Sequence, residues 1–110
     1  MSRRAEALNP WLKDEASYVR YLAHERHMFA WCVQTLAGAS PIDAESAALS
    51  FYPYEPSSDG YRGLVFHDEA WHWAMRQIIG EHYWVTRPEL EQPSAAYLQE
   101  SQAFLPPLGT

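Results

Sequence analysis

Residues 18–36 read YVRYLAHERHMFAWCVQTL, and the spacing of their apolar side chains decides the fold class. At the 3.6-residue period of an α-helix, Tyr18, Leu22, Phe29, Val33 and Leu36 fall along one stripe, with Tyr21 and Cys32 on its flank. Arg20, His24, His27, Trp31 and Gln34 occupy the opposite side. Around residues 28–33 the helix is apolar on most sides, which predicts a central position with neighbours on both flanks. Upstream, Asn9-Pro10 is a helix start, with Asn9 as cap and Pro10 at the first helical position. A break or kink is allowed near Lys13–Ser17. Gly38 marks the end, because glycine takes the left-handed conformation that closes a helix without steric cost.

Glu25 stands inside the apolar stripe. A carboxylate there is either paired or shifted toward its neutral form. The sequence favours a rim position, from which the side chain reaches Tyr21, Arg26 or water.

Working outward, Ser40-Pro41-Ile42-Asp43 is a second start, with Ser40 as cap and an acid at the capping-box position. That helix runs through Leu49 and fails near Phe51–Pro53. Tyr54–Gly60 is turn-rich. Tyr61–Phe66 reads as a short strand with Phe51–Tyr54 as a hairpin partner, an arrangement weakened by Pro53, which has no ladder donor. A further helix is predicted over His67–Ile79, stopped by Gly80. His67, Trp71, Ala74 and Ile78 form its inner line, and Glu69, His72, Trp73 and Arg76 its outer face. Glu81–Val85 is one more helical turn, Thr86-Arg87-Pro88-Glu89 is another cap pattern starting a short turn through Leu90, and Ser94 caps a last helix through about Phe104. The predicted fold is all-α, a single compact domain of about four helices with a long central first helix. An α+β fold with one small hairpin around 51–66 is the alternative. The domain is expected to span residues 1–110, with 1–8 and 105–110 as loose termini.

Composition narrows the function classes. With 110 residues, 47% of them hydrophobic, the chain suits one domain. No segment approaches the roughly 18 apolar residues of a membrane span. The twin arginines at positions 3 and 4 precede no apolar run, so no secretion signal is read and a cytoplasmic location is expected. Cys32 is the sole cysteine and lies in an apolar run, which points to a buried, inert thiol. The acidity is lopsided: five basic residues face four acidic ones up to position 42, whereas three face ten beyond it. Such a surface repels phosphate backbones, so nucleic acid is excluded as a partner, and it attracts a basic protein.

Catalytic motifs are missing. There is no nucleophile elbow and no glycine-rich phosphate cradle, and a Ser-His-acid triad is recognised by geometry rather than by spacing. His24-Glu25-Arg26-His27 and Glu69-Ala70-Trp71-His72 each put two candidate ligands on one helix face. His24, His27, Glu69 and His72 would form a metal site only if those two polar faces met. No metal and no cofactor are expected.

What remains concerns surfaces. Trp31 and Trp73 lie on the wrong side of helices that already own a core stripe, and a large ring among charges has the composition of a binding hot spot. The loop at 52–61 carries Tyr52, Tyr54 and Tyr61, side chains that supply contact area at low entropic cost. Tyr54, Glu55, Asp59, Asp68, Glu69 and Trp73 are the expected partner-binding residues. This character fits a small bacterial cytoplasmic protein that masks a basic partner such as a toxin or effector, in the manner of an immunity protein or antitoxin. The alternatives are a self-associating structural or adaptor subunit, and a metal-dependent enzyme built on the His/Glu set.

Overall fold

The computed structural model describes residues 14–104. The expected helix start at Asn9-Pro10 and the expected loose termini lie outside that range, except that the first helix begins within the segment where a break was allowed. Helix α1 spans Glu15–Ala37. Asp14 caps it, accepting from Ser17 N at 3.2 Å and from the Ser17 hydroxyl at 2.6 Å. Gly38, at φ 73°, ends it as expected: its N–H bonds Gln34 O and the next N–H, of Ala39, bonds Val33 O, which satisfies carbonyls the helix leaves free.

Helix α2 spans Pro41–Phe51, with the Ser40 hydroxyl accepting from Asp43 N at 3.1 Å. It presents Ala44 and Ala48, both buried, and small side chains let a helix sit close to its neighbour. Helix α3 spans Ala70–Ile78, a single turn α4 covers Tyr83–Thr86, and α5 spans Ala95–Ala103 with Ser94 as cap. Short 3-10 turns occupy Leu64–His67 and Pro88–Leu90.

Helix α1 is the central element: α2, α3 and α5 all pack on it. Its buried set is Tyr18, Leu22, Glu25, Met28, Phe29 and Cys32. Leu36, expected in the stripe, is 45% exposed, because the last turn projects past its neighbours. Trp31 is covered edge-on by Tyr97 of α5, which accounts for an aromatic ring on the polar side of the stripe.

Two expectations are corrected. Among the described residues there is no strand, so the hairpin around 51–66 does not exist. The segment instead wraps around Arg62, which is fully buried. Its guanidinium lies 4.2 Å from the Tyr18 ring centre and donates to Glu15 Oε1 at 2.6 Å. Glu55 N donates to the Tyr18 hydroxyl at 2.8 Å, and Gly63, at φ 81°, donates to the Glu55 carboxylate at 2.9 Å. Backbone donors that a hairpin ladder would have used are satisfied by side chains. The second correction concerns His67. It belongs to the 3-10 turn before α3, where it is exposed, and so does not extend the inner line of Trp71 and Ala74.

Candidate functional site

The 3-10 turn Leu64–His67 and helix α3 meet at Asp68-Glu69, and this corner organises a strip of rings. Trp73 stands half-buried over the corner, its indole N–H donating to Val65 O at 3.0 Å and its face leaning on Phe51. His67 lies 5.9 Å from it and His72 5.0 Å, both edge to face. Beyond Gly80 the chain turns back. The α4 turn then sets Trp84 against His72 at 6.1 Å, with His82 5.5 Å from Trp84. The buried Tyr83 hydroxyl shares a hydrogen bond with His72 Nδ1 at 3.0 Å, tying α4 to α3. Trp84 is 38% exposed and Val85 68%, so the far end of the strip is open to a partner.

Charge is built into this strip. The Asp68 carboxylate lies 3.3 Å from His67 Nε2 and 3.9 Å from His72 Nε2. Glu69 is exposed, yet its carboxyl is pushed above the ordinary range by partial burial, then by the negative charges of Glu25 and Asp68. Three acids therefore crowd the head of α3, where a cation would relieve their repulsion.

The structure divides the sequence-predicted set. Asp68, Glu69 and Trp73 share the corner just described. Tyr54, Glu55 and Asp59 belong to the 52–61 loop, and their polar atoms are engaged within the protein. The Tyr54 hydroxyl donates to Glu15, the Glu55 carboxylate accepts from Gly63 N, and Asp59 accepts from Tyr61 N at 2.9 Å. Tyr52, the first tyrosine of that loop, is core.

The metal candidates part company. His24 and His27 turn toward α5, bonding Ser101 and Glu100, while His72 turns toward Tyr83. Among the described residues no three His, Cys, Asp or Glu side chains are grouped to hold an ion. Cys32 is buried, and burial followed by the charge of Glu25 pushes its thiol up to about 12. Glu25 departs from the expected rim position. It is 2% exposed, accepts from Ala70 N at 3.0 Å and lies 2.8 Å from His24 Nδ1. It thereby caps α3 from another helix, a task that the side chain of Glu69, the local cap residue, does not perform.

Trp84, His67 and His82 were missed from the sequence as members of the site. Trp84 joins it only because the chain reverses at Gly80, and twelve residues of separation carry no periodic signal. Compared with protein-family models, with curated proteins and with solved structures, the chain finds no match. Its class is that of a mostly helical, compact protein with a long central helix, in which no described helix is long and apolar enough to cross a membrane.

Proposed function

We propose that this protein binds and masks a basic protein partner, such as a toxin or effector, through the strip formed by Asp68, Glu69, Trp73, His72 and Trp84. The observation that carries the reading is the contiguity of the strip: ring centres step along it at 5.0 to 6.1 Å between two acids and an open indole. Aromatic anchors of this size dominate binding energies, and surrounding acids steer a cationic partner during encounter. The excess of acids after position 42 places the long-range field on the same half of the chain. Tyr54, Glu55 and Asp59 are left with a supporting role, since their polar groups hold the loop. Immunity or antitoxin activity in a bacterial cytoplasm is the biological form this reading takes.

The test starts from tagged protein in source lysate, followed by purified binding to any basic protein recovered in stoichiometric amount. Association is expected to slow about tenfold or more between low and physiological salt, the behaviour of steered encounter. Glu69→Lys with Asp68→Lys should slow it further, and Trp84→Ala should speed dissociation. A complex whose on-rate ignores both salt and charge reversal would overturn the reading. So would recovery of the protein's own copies alone, with self-association by sedimentation.

A further inference from the structure

We propose that Ser101, His24 and Glu25 form a hydrogen-bonded relay that makes Ser101 an acylatable nucleophile, a site separate from the binding strip. His24 Nε2 lies 3.0 Å from Ser101 Oγ, and His24 Nδ1 lies 2.8 Å from Glu25 Oε2. These are the contacts by which a nucleophile meets its base and the base meets its orienting acid. The orienting acid is rigid: Glu25 is buried, and its other oxygen is held by Ala70 N at 3.0 Å. Because a carboxylate only accepts, His24 must carry its proton on Nδ1. In the neutral ring that leaves the Nε2 lone pair toward Ser101 Oγ, whereas the protonated ring donates from Nε2 to Ser101 O, 3.4 Å away.

The relay is reachable. The His24 side chain is 18% exposed and Ser101 is half-buried. One turn along α1, His27 lines a groove of about 430 Å³ between α1 and α2 together with Arg26, Ala30, Glu45 and Leu49, a groove that His24 and Ser101 themselves do not line. Ser101 sits in the last turn of α5, where helix carbonyls disfavour developing negative charge. A nucleophile so placed reacts only with an already labile acyl donor, so the substrate class is an activated ester, an aryl ester above all.

In the acylation step Ser101 Oγ forms a bond to the ester carbonyl carbon and its proton passes to His24 Nε2. The carbon–oxygen bond to the leaving group breaks with its electron pair, and the aryl oxide departs with the proton from His24. Water then attacks the acyl-serine, giving the carboxylic acid and restoring the hydroxyl. Ser101 and His24 are the catalytic residues, and Glu25 is a positioning residue.

The experiment uses the full chain with a fluorophosphonate probe, in which Ser101 displaces fluoride from phosphorus, and with p-nitrophenyl acetate as acyl donor. Expected results are one adduct per chain at Ser101 by peptide mass spectrometry, and its loss in Ser101→Ala. A drop of at least tenfold in labelling rate is expected in His24→Gln. The rate should rise with pH along one ionisation. The ionisation is that of His24, raised by Glu25 on α1 and by the Ser101 backbone on α5 against burial, with the Tyr21 and Phe104 rings beside it. Glu25→Gln should move that ionisation to lower pH, a change that loss of packing alone would not produce. Absence of a Ser101 adduct on the wild-type chain overturns the proposal, as does equal labelling of wild type and His24→Gln. Binding of a basic partner is unaffected in Ser101→Ala whichever way the labelling turns out, so the two readings fail separately.

Discussion

Tyr52 is 1% exposed and, among the described residues, its hydroxyl is the one buried side-chain polar atom without a hydrogen-bond partner. Burial pushes its ionisation far above the ordinary phenol range, so it is a neutral, dry hydroxyl. Such a group forfeits its bonds to water and gains nothing in return. Tyr52→Phe is expected to stabilise the protein by about 1 kcal/mol, read by chemical denaturation at constant m-value. Lower stability would reveal a partner for the hydroxyl. Arg62 is the opposite case, a buried charge with its bonds made. It joins Glu15 to the 52–63 loop across the Tyr18 ring. Arg62→Ala removes a charge-assisted bond worth roughly a tenfold factor in an opening equilibrium. Limited proteolysis within residues 53–61 should accelerate by about that much, and an unchanged cleavage rate would show that the loop is held by other contacts.

At the scale of elements, local chemistry and long-range chemistry divide the helices. The ends of α1, α2 and α5 are set by neighbours in the chain: Asp14, Ser40 and Ser94 at their starts, Gly38 after α1. Ser94→Ala should cost about 1 kcal/mol, the usual worth of such a cap, with the loss seen first as faster amide exchange in α5. The docking of α5 depends on histidines of α1. His24 bonds Ser101, and His27 bonds Glu100 at 2.7 Å while stacking on Phe104 at 3.9 Å. The hydrogen bond to Glu25 raises the pKa of His24 above its ordinary 6.5, against the lowering effect of burial. A raised value means that this contribution to stability is complete below 6.5 and disappears as pH climbs through the higher folded value. The melting temperature is therefore expected to fall as pH rises from 6.5 upward, with the slope reduced in His24→Gln. A slope identical in that variant would place the titration elsewhere.

At the scale of the whole molecule, the fold class is legible in the sequence. The stripe in residues 18–36 places Tyr18, Leu22, Phe29 and Cys32 in the core, and the caps at Ser40 and Ser94 stand where their residue types put them. Helical period and capping are local properties, decided within one or two turns, so one sequence suffices to read them. The strip was legible only in part. Asp68, Glu69 and Trp73 are neighbours along one short segment, whereas Trp84 and His82 arrive after a chain reversal. The segment at 51–66 forms no hairpin because its backbone donors are satisfied by Tyr18 and Glu55 and its Arg62 is held by Glu15, partners eight to forty-seven positions away in sequence. Binding belongs to this scale too. Because the acids are spread over the second half of the chain, added salt should weaken steering of a basic partner more than any single charge reversal does.

By itself the sequence determined an all-α chain, its central helix, most helix ends and its acidic half, because each follows from composition or from contacts within a few residues. The tertiary structure alone decided the fate of Glu25. It is a buried carboxylate that caps α3 and orients His24, not a rim acid, because α3 brings Ala70 N within 3.0 Å of it. It alone decided that His24 faces Ser101 and that Trp84 meets His72, since these pairs are joined only when separate helices pack. Side-chain period fixes which face a residue occupies, but packing fixes what that face meets.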